Sequence, residues 1–148
     1  MNHTLRPATD SDYTFAFEAK QRALGPHISA RWGWQSDVQA RFHRQRWAER
    51  PWCIIELDGR SIGTVSVERT ATEMRFGEFY LLPEHQGRGI GSAVLQGVLA
   101  EADASALTVN LEYLKWNPVG SLYKRHGFVV TKENDSHYFL SRPPMNEA

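Results

Sequence analysis

Apolar and polar positions follow two different periods along this chain, and the switches between them lay out its elements. Two-residue alternation marks strands. Cys53, Ile55 and Leu57 lead into an Asp58-Gly59 turn, and Val65 and Val67 continue on the returning strand. Thr4 to Arg6 reads as a short first strand, and about Glu73 to Leu82 as a third strand after the hairpin. Leu107, Val109, Leu111 and Tyr113 alternate with Thr108, Asn110 and Glu112. That strand buries one face, and its polar face is available to line a cleft. Closing strands are expected at about Phe128 to Thr131 and Ser136 to Ser141, with a frayed tail from Arg142 to Ala148. The helical period places Ile90, Val94, Leu95, Val98 and Leu99 on one face, which predicts a helix packed on the sheet. Asp10 reads as the N-cap of a helix running through about Ala23, and Gln35 to about Glu49 as a second helix. Between them lies a segment, Leu24 to Trp34, that reads as irregular. Asn117 and Pro118 open a short helix over Val119 to His126, which Gly127 ends.

The most chemically specific stretch is Gln86-Gly87-Arg88-Gly89-Ile90-Gly91-Ser92, between an apolar strand and the most periodic helix. Glycines let the backbone turn tightly and approach a ligand, and the free N–H groups of the helix that follows add roughly half a positive charge. The layout predicts an anion cradle suited to a phosphate or pyrophosphate. A Walker A loop would need Lys and Ser/Thr after its last glycine, and Gly91 is followed by Ser92-Ala93. A dinucleotide fingerprint counted from Gly87 would need a sixth-position glycine where Ser92 stands, after the first strand of a βαβ unit. Nucleotide hydrolysis and dinucleotide binding are both disfavoured.

What remains is a Q/R-x-x-G-x-G/A signature, and with it the chain resembles the GNAT superfamily of acyl-CoA-dependent N-acyltransferases over nearly its whole length. A second block, Asn117-Pro118-Val119-Gly120-Ser121-Leu122-Tyr123-Lys124-Arg125-His126-Gly127-Phe128, is similar to that family's N-P-x-x-x-x-L-Y-x-x-x-G-F block, one residue shorter between Pro118 and Leu122. The two blocks occur in the family's order, separated by a helix and a strand. The resemblance implies an α/β (α+β) fold, a mixed, mostly antiparallel sheet of six or seven strands splayed between the fourth and fifth, flanked by about four helices. The pantetheine arm of acetyl-CoA, the implied cosubstrate, would lie in the gap. It further implies that Leu81 offers backbone hydrogen bonds to the pantetheine amides, that Gln86, Gly87, Arg88, Gly89, Ile90, Gly91 and Ser92 hold the pyrophosphate, and that Asn117 contacts the pantetheine arm. Lys124 would reach the phosphate-rich end of CoA.

Acyl transfer from a thioester to an amine requires an uncharged amine, a stabilised oxyanion and a proton for the departing thiolate. In the matching family position the hydroxyl of Tyr123 protonates the CoA sulfur. The base is open between Glu78, on the strand leading into the glycine turn, and Glu112, on the polar face of the next strand. Counting back from Leu81 by twos gives Gly77 and Arg75, so Glu78 faces the acceptor only if a bulge shifts the strand. A backbone N–H at Phe79 or Leu81 would meet the oxyanion. For the acceptor, Trp32 and Trp34 could form an aromatic wall, while Trp47 and Trp52 fall in periodic elements and read as core. The basic run Arg41 to Arg46 reads as a solvated helix face, with an anionic acceptor as the minority reading.

Composition narrows the partners. With 148 residues and 41% hydrophobic content the chain fits one domain, 1–142, with a disordered tail at 143–148. Seventeen basic residues balance seventeen acidic ones, so no global field draws the protein to nucleic acid or to an anionic membrane. The single Cys53 has no disulfide partner, no run has the length of a membrane span or the layout of a signal peptide, and the histidines lack metal-ligand spacing. A cytoplasmic acetyl-CoA-dependent N-acetyltransferase acting on a small-molecule primary amine, without a metal, is the leading expectation. Many members of the family pair, so a homodimer is compatible with it. The alternatives are modification of a protein N-terminus or lysine, and a non-catalytic acyl-CoA-binding regulatory module.

Overall fold

A computed structural model describes residues 2–31 and 33–145. Seven strands form one sheet in the order β1-β2-β3-β4-β5-β7-β6. In chain order these are β1 (His3–Pro7), β2 (Trp52–Leu57), β3 (Arg60–Arg69), β4 (Glu73–Leu81), β5 (Thr108–Leu114), β6 (Val129–Glu133) and β7 (His137–Arg142). Four α-helices accompany them: α1 (Tyr13–Arg31), α2 (Ser36–Glu49), α3 (Ile90–Ala104) and α4 (Gly120–Arg125). Every neighbouring strand pair is antiparallel except β4 and β5, which run parallel and pair only over Glu73 to Arg75 against Thr108 to Asn110. Beyond Arg75 the two strands part, giving the splayed sheet expected from the two sequence blocks.

One face of the sheet carries α3, whose Ile90, Val94, Leu95, Val98 and Leu99 are all buried against Ile55, Val65, Met74, Phe76, Val109 and Leu111. Burying each such aliphatic side chain stabilises the fold by about 1.5–3 kcal/mol. On the opposite face the two long N-terminal helices cover the sheet. Trp52 points there from β2, its ring 5.5 Å from His43 and 5.4 Å from Trp47 of α2. Tyr13 closes the group at 4.6 Å from His43. His43 is fully buried, its Nε2 bonded to the Tyr13 carbonyl at 3.1 Å, and burial pushes its pKa down.

Three local expectations change. The first helix does not stop at Ala23, because Leu24 and Ile28 extend the buried face of Ala16 and Ala19, and that packing outweighs the Gly25-Pro26 breaker. Gly25 leaves room for the Trp34 ring, which a Cβ there would meet at 3.6 Å. The N-terminal cap is Thr9 rather than Asp10, in a short 3-10 turn over Asp10–Asp12 in which Asp12 accepts the Thr9 N–H at 2.9 Å. Arg142 belongs to β7 and is buried. Its guanidinium holds Asp103 of α3 through two bonds of 2.8 and 3.0 Å, and the Met145 N–H reaches the same carboxylate at 2.9 Å, so the chain stays tied down past 142.

Candidate active site

The gap between β4 and β5 opens into two adjoining cavities that share Leu24, Phe79, Tyr80 and Asn117 as walls. The smaller, of about 300 Å³, is bounded by Leu81, by Gln86, Gly87, Gly89, Gly91 and Ser92 at the glycine turn and by Asn117 to Val119. Gly87 and Gly89 have φ of +73° and +82°, which a side chain rarely adopts, and a Cβ at either would project into open space. Gly89 is also the N-cap of α3, so the first N–H groups of a fifteen-residue helix point toward this cavity. These features suit an anionic ligand such as a pyrophosphate.

Individual side chains in this region are committed more than the sequence indicated. Gln86 turns back, and its amide donates to the Leu81 carbonyl at 2.9 Å, fixing the strand end rather than reaching outward. Ser92 Oγ lies 3.1 Å from His126 Nε2, while His126 Nδ1 lies 2.8 Å from the Leu122 carbonyl. The proton therefore sits on Nδ1, and the serine hydroxyl donates to Nε2. Only the backbone of Ser92 is left for a phosphate. Asn117 Oδ1 accepts the Val119 N–H at 3.1 Å from the cavity wall, an Asx turn leading into α4, whose N-cap is Val119 rather than Asn117. Ile90 is buried in the core and contributes its backbone alone. Arg88 and Lys124 are exposed and line neither cavity, whereas Arg125 lines the smaller one.

The larger cavity, of about 510 Å³, holds the titratable groups. Glu78 lies on its wall because β4 carries a bulge. The register steps from Ser66↔Gly77 to Thr64↔Tyr80, leaving Glu78 and Phe79 without partners on β3. Glu78 adopts a φ of +47°, a left-handed conformation uncommon for a residue with a side chain, and its neighbours hold it there. Thr64 Oγ1 donates to its carbonyl at 2.8 Å, Arg50 Nη1 pairs with Oε1, and Arg46 Nε lies 3.8 Å from the same oxygen. Oε2 is buried with no hydrogen-bond partner. Glu112 sits at the rim, exposed, 3.4 Å from Arg75.

Tyr123 is 4% exposed and reaches the same cavity from α4, its ring 5.7 Å from Tyr113, 5.8 Å from Phe128 and 6.2 Å from Phe76. Burial, with Tyr113 adding to it, pushes its phenol pKa up. Tyr80 lines both cavities, and burial, with the Glu78 charge and the Glu78 side chain as a hydrogen-bond partner, raises its pKa well above the usual value.

Of the two tryptophans expected beside the acceptor, only Trp34 lies among the described residues. Trp34 packs on Phe17, with ring centroids 6.3 Å apart, and does not line the cavity; Trp32 lies outside the described residues. The larger cavity is walled on this side by Phe42, Leu24 and Ile28 with Lys20, Arg46 and Arg50. Lys20 and Arg50 went unnoticed in the sequence, and the basic run of α2 is not wholly solvated, since Arg46 is half-buried and lines the larger cavity beside the exposed Phe42. The available signal was Lys20 itself, four residues after Ala16 and four before Leu24 on the apolar face of α1. Cys53 is half-buried and its pKa is raised by burial, so its thiol has no nucleophilic character. Among the described residues no group of three His, Cys, Asp or Glu could hold a metal ion, and no helix is long and apolar enough to cross a membrane.

This geometry agrees with what the chain is similar to. The mycothiol acetyltransferase of Nocardiopsis dassonvillei is 42% identical over 52 residues, covering 35% of this chain and 16% of that protein, so the chain spans only a small part of this curated relative. Its fold matches the PaiA N-acetyltransferase of Thermoplasma acidophilum, solved with coenzyme A, at a TM-score of 0.78 and 16% identity over 97% of this chain and 99% of that one. It also matches the ribosomal-protein-S18-alanine N-acetyltransferase of Escherichia coli, at 0.70 and 18% identity over 99% and 97%. The model of the acetyltransferase (GNAT) domain matches residues 48–130, from the end of α2 through the splayed strands, the glycine cradle and α4 into β6. More than half of the chain, including both sequence blocks and the groove between them, is thus accounted for by one family, and the protein is a member of the GNAT acetyltransferases, which use acetyl-CoA.

Proposed function

We propose that this chain is an N-acetyltransferase that moves the acetyl group of acetyl-CoA to the primary amine of a small molecule by direct attack in a ternary complex. The observation that carries this reading is the meeting of the two cavities at Phe79, Tyr80 and Asn117, with a buried, unpartnered carboxylate oxygen of Glu78 and the phenol of Tyr123 on the larger side. One domain over residues 1–142 contains every group the reaction needs.

Bound acetyl-CoA supplies the acetyl thioester; the rest falls to the protein. The backbone from Gly87 to Ser92 and the α3 N-terminus hold the pyrophosphate, and Asn117 and Leu81 orient the arm so that the thioester reaches the junction. Glu78 Oε2 receives the acceptor amine and takes its proton, directly or through one water, leaving the nitrogen lone pair free to attack the carbonyl carbon. The Phe79 N–H, freed from the β3 ladder by the bulge, donates to the oxygen that gains charge. As the carbon–sulfur bond breaks, the attacking nitrogen sheds its second proton to water and the Tyr123 hydroxyl donates to the departing sulfur. A thiol has a pKa of about 8.5 and a phenol one of about 10. With the Tyr123 value raised further, the hydroxyl keeps its proton at neutral pH and stabilises the thiolate through a strong hydrogen bond, full protonation following from solvent.

Free-thiol release from acetyl-CoA, measured with pooled small amines and separately with pooled peptides, tests the reading. Release with the amine pools is expected. Release confined to peptides would assign the site to protein modification, and intact acetyl-CoA binding without release in any pool would favour a binding module.

A further inference from the structure

Lys20 presents a problem that the free protein leaves unsolved. Its ammonium is carried on the inward face of α1, the residue is only 3% exposed, and it lines the larger cavity. Among the described residues no carboxylate lies within ion-pair distance of it. Glu78, the carboxylate whose charge reaches it, is already engaged by Arg50 and Arg46, and those two guanidiniums repel the lysine. Desolvation and this repulsion push the Lys20 pKa down to about 8. The remaining cation on the wall, Arg75, is held by Glu112. One cavity therefore contains one buried cation without a counter-ion and one buried carboxylate oxygen, Glu78 Oε2, without a donor. Such groups destabilise a protein unless a ligand completes them.

Resting on the acetyl-transfer reading, we propose that the acceptor is a zwitterionic amino acid, its carboxylate held by Lys20 and its amine presented to Glu78 Oε2. The charges discriminate among ligand classes. A plain amine or polyamine would satisfy Glu78 but add positive charge beside Lys20. A phosphate monoester carries no ammonium, and its negative charge would be set beside the unpartnered carboxylate oxygen of Glu78. The N-terminal residue of a peptide offers the amine without the neighbouring carboxylate. A free amino acid brings a carboxylate for Lys20 and an ammonium donor for Glu78 Oε2 together, without changing the net charge of the cavity, and Phe42, Leu24 and Ile28 supply an apolar wall for its side chain.

The test compares free amino acids with their carboxamides in the thiol-release assay, using wild type, Lys20→Met and Lys20→Arg, with thermal melts confirming that each variant folds. Wild type is expected to favour acids over carboxamides by roughly tenfold to a hundredfold in kcat/KM, the range for one charged hydrogen bond. Lys20→Met should erase that ratio by raising KM for the acids, and Lys20→Arg should retain most of it, while KM for acetyl-CoA stays fixed in both. Carboxamides used as well as acids, or an acid preference that survives Lys20→Met, would overturn the carboxylate contact and leave acetyl transfer standing. No release from either panel with acetyl-CoA bound would overturn both.

Discussion

The two cavities that meet at Phe79 and Tyr80 are made of different materials. The smaller is backbone: two glycines at positive φ and the open end of α3, with the nearby side chains of Gln86, Ser92 and Asn117 spent on internal hydrogen bonds. The larger is side chain: Lys20 from α1, Arg46 from α2, Arg50 just after it, Glu78 from a bulged strand and Tyr123 from α4. A backbone cradle recognises the part of a ligand common to every reaction of a family, because any sequence with the right glycines can build it. A side-chain chamber recognises what is particular to one acceptor, and its residues come from distant stretches of chain. The first should govern cosubstrate affinity and the second turnover and acceptor choice.

The largest effect is expected at the chamber's carboxylate. Glu78→Gln keeps the shape but removes the charge, and kcat/KM for the acceptor should fall by roughly 10²- to 10⁴-fold, read from thiol release with acceptor varied. Tyr123→Phe should lower kcat by roughly tenfold to a thousandfold, again without weakening acetyl-CoA binding. In the cradle, Gly89→Val places a β-branched residue at a φ of +82°, and KM for acetyl-CoA should rise by roughly tenfold to a hundredfold while kcat is nearly kept. A separate effect is on stability rather than turnover. The pKa of Lys20 falls from 10.5 to about 8 on folding, so between those values the unfolded chain holds a proton that the folded chain has shed. The cost of the buried ammonium is full below about pH 8, where Lys20→Met should be the more stable protein by about 3 kcal/mol. Stability of the wild type relative to Lys20→Met should rise with pH through this window, and paired denaturant titrations at pH 7 and pH 10 would show the gap narrowing.

The same contrast explains what could be read from the sequence. The cradle is local: Gln86 to Ser92, a strand before and a periodic helix after, all within about thirty residues, and each part carries its own signature in glycine spacing or apolar period. The sheet was legible for the same reason, down to the alternation of Leu107 to Tyr113 on β5. The chamber is not local. Nothing in a period or a motif reveals that Arg50, just past the end of α2, will meet Glu78, or that Lys20 will point inward rather than snorkel to solvent. The bulge that brings Glu78 to the wall changes strand parity by one residue, and simple alternation places that side chain on the other face. Trp34 drew attention as a large aromatic near the cleft, yet the continuation of α1 past Gly25 gave it a packing site on Phe17. Helix propensity ended α1 too soon because it does not count the burial of Leu24 and Ile28.

The central claim is that cosubstrate holding and chemistry are divided between these regions. Thiol release at saturating acceptor, followed against acetyl-CoA concentration in wild type, Tyr123→Phe and Gly89→Val, tests it most directly. Tyr123→Phe is expected to reach a lower maximum at an unchanged half-saturating acetyl-CoA concentration, and Gly89→Val to reach nearly the wild-type maximum at a higher one. A Tyr123→Phe curve that superimposes on wild type, or a Gly89→Val protein that saturates normally, would contradict it.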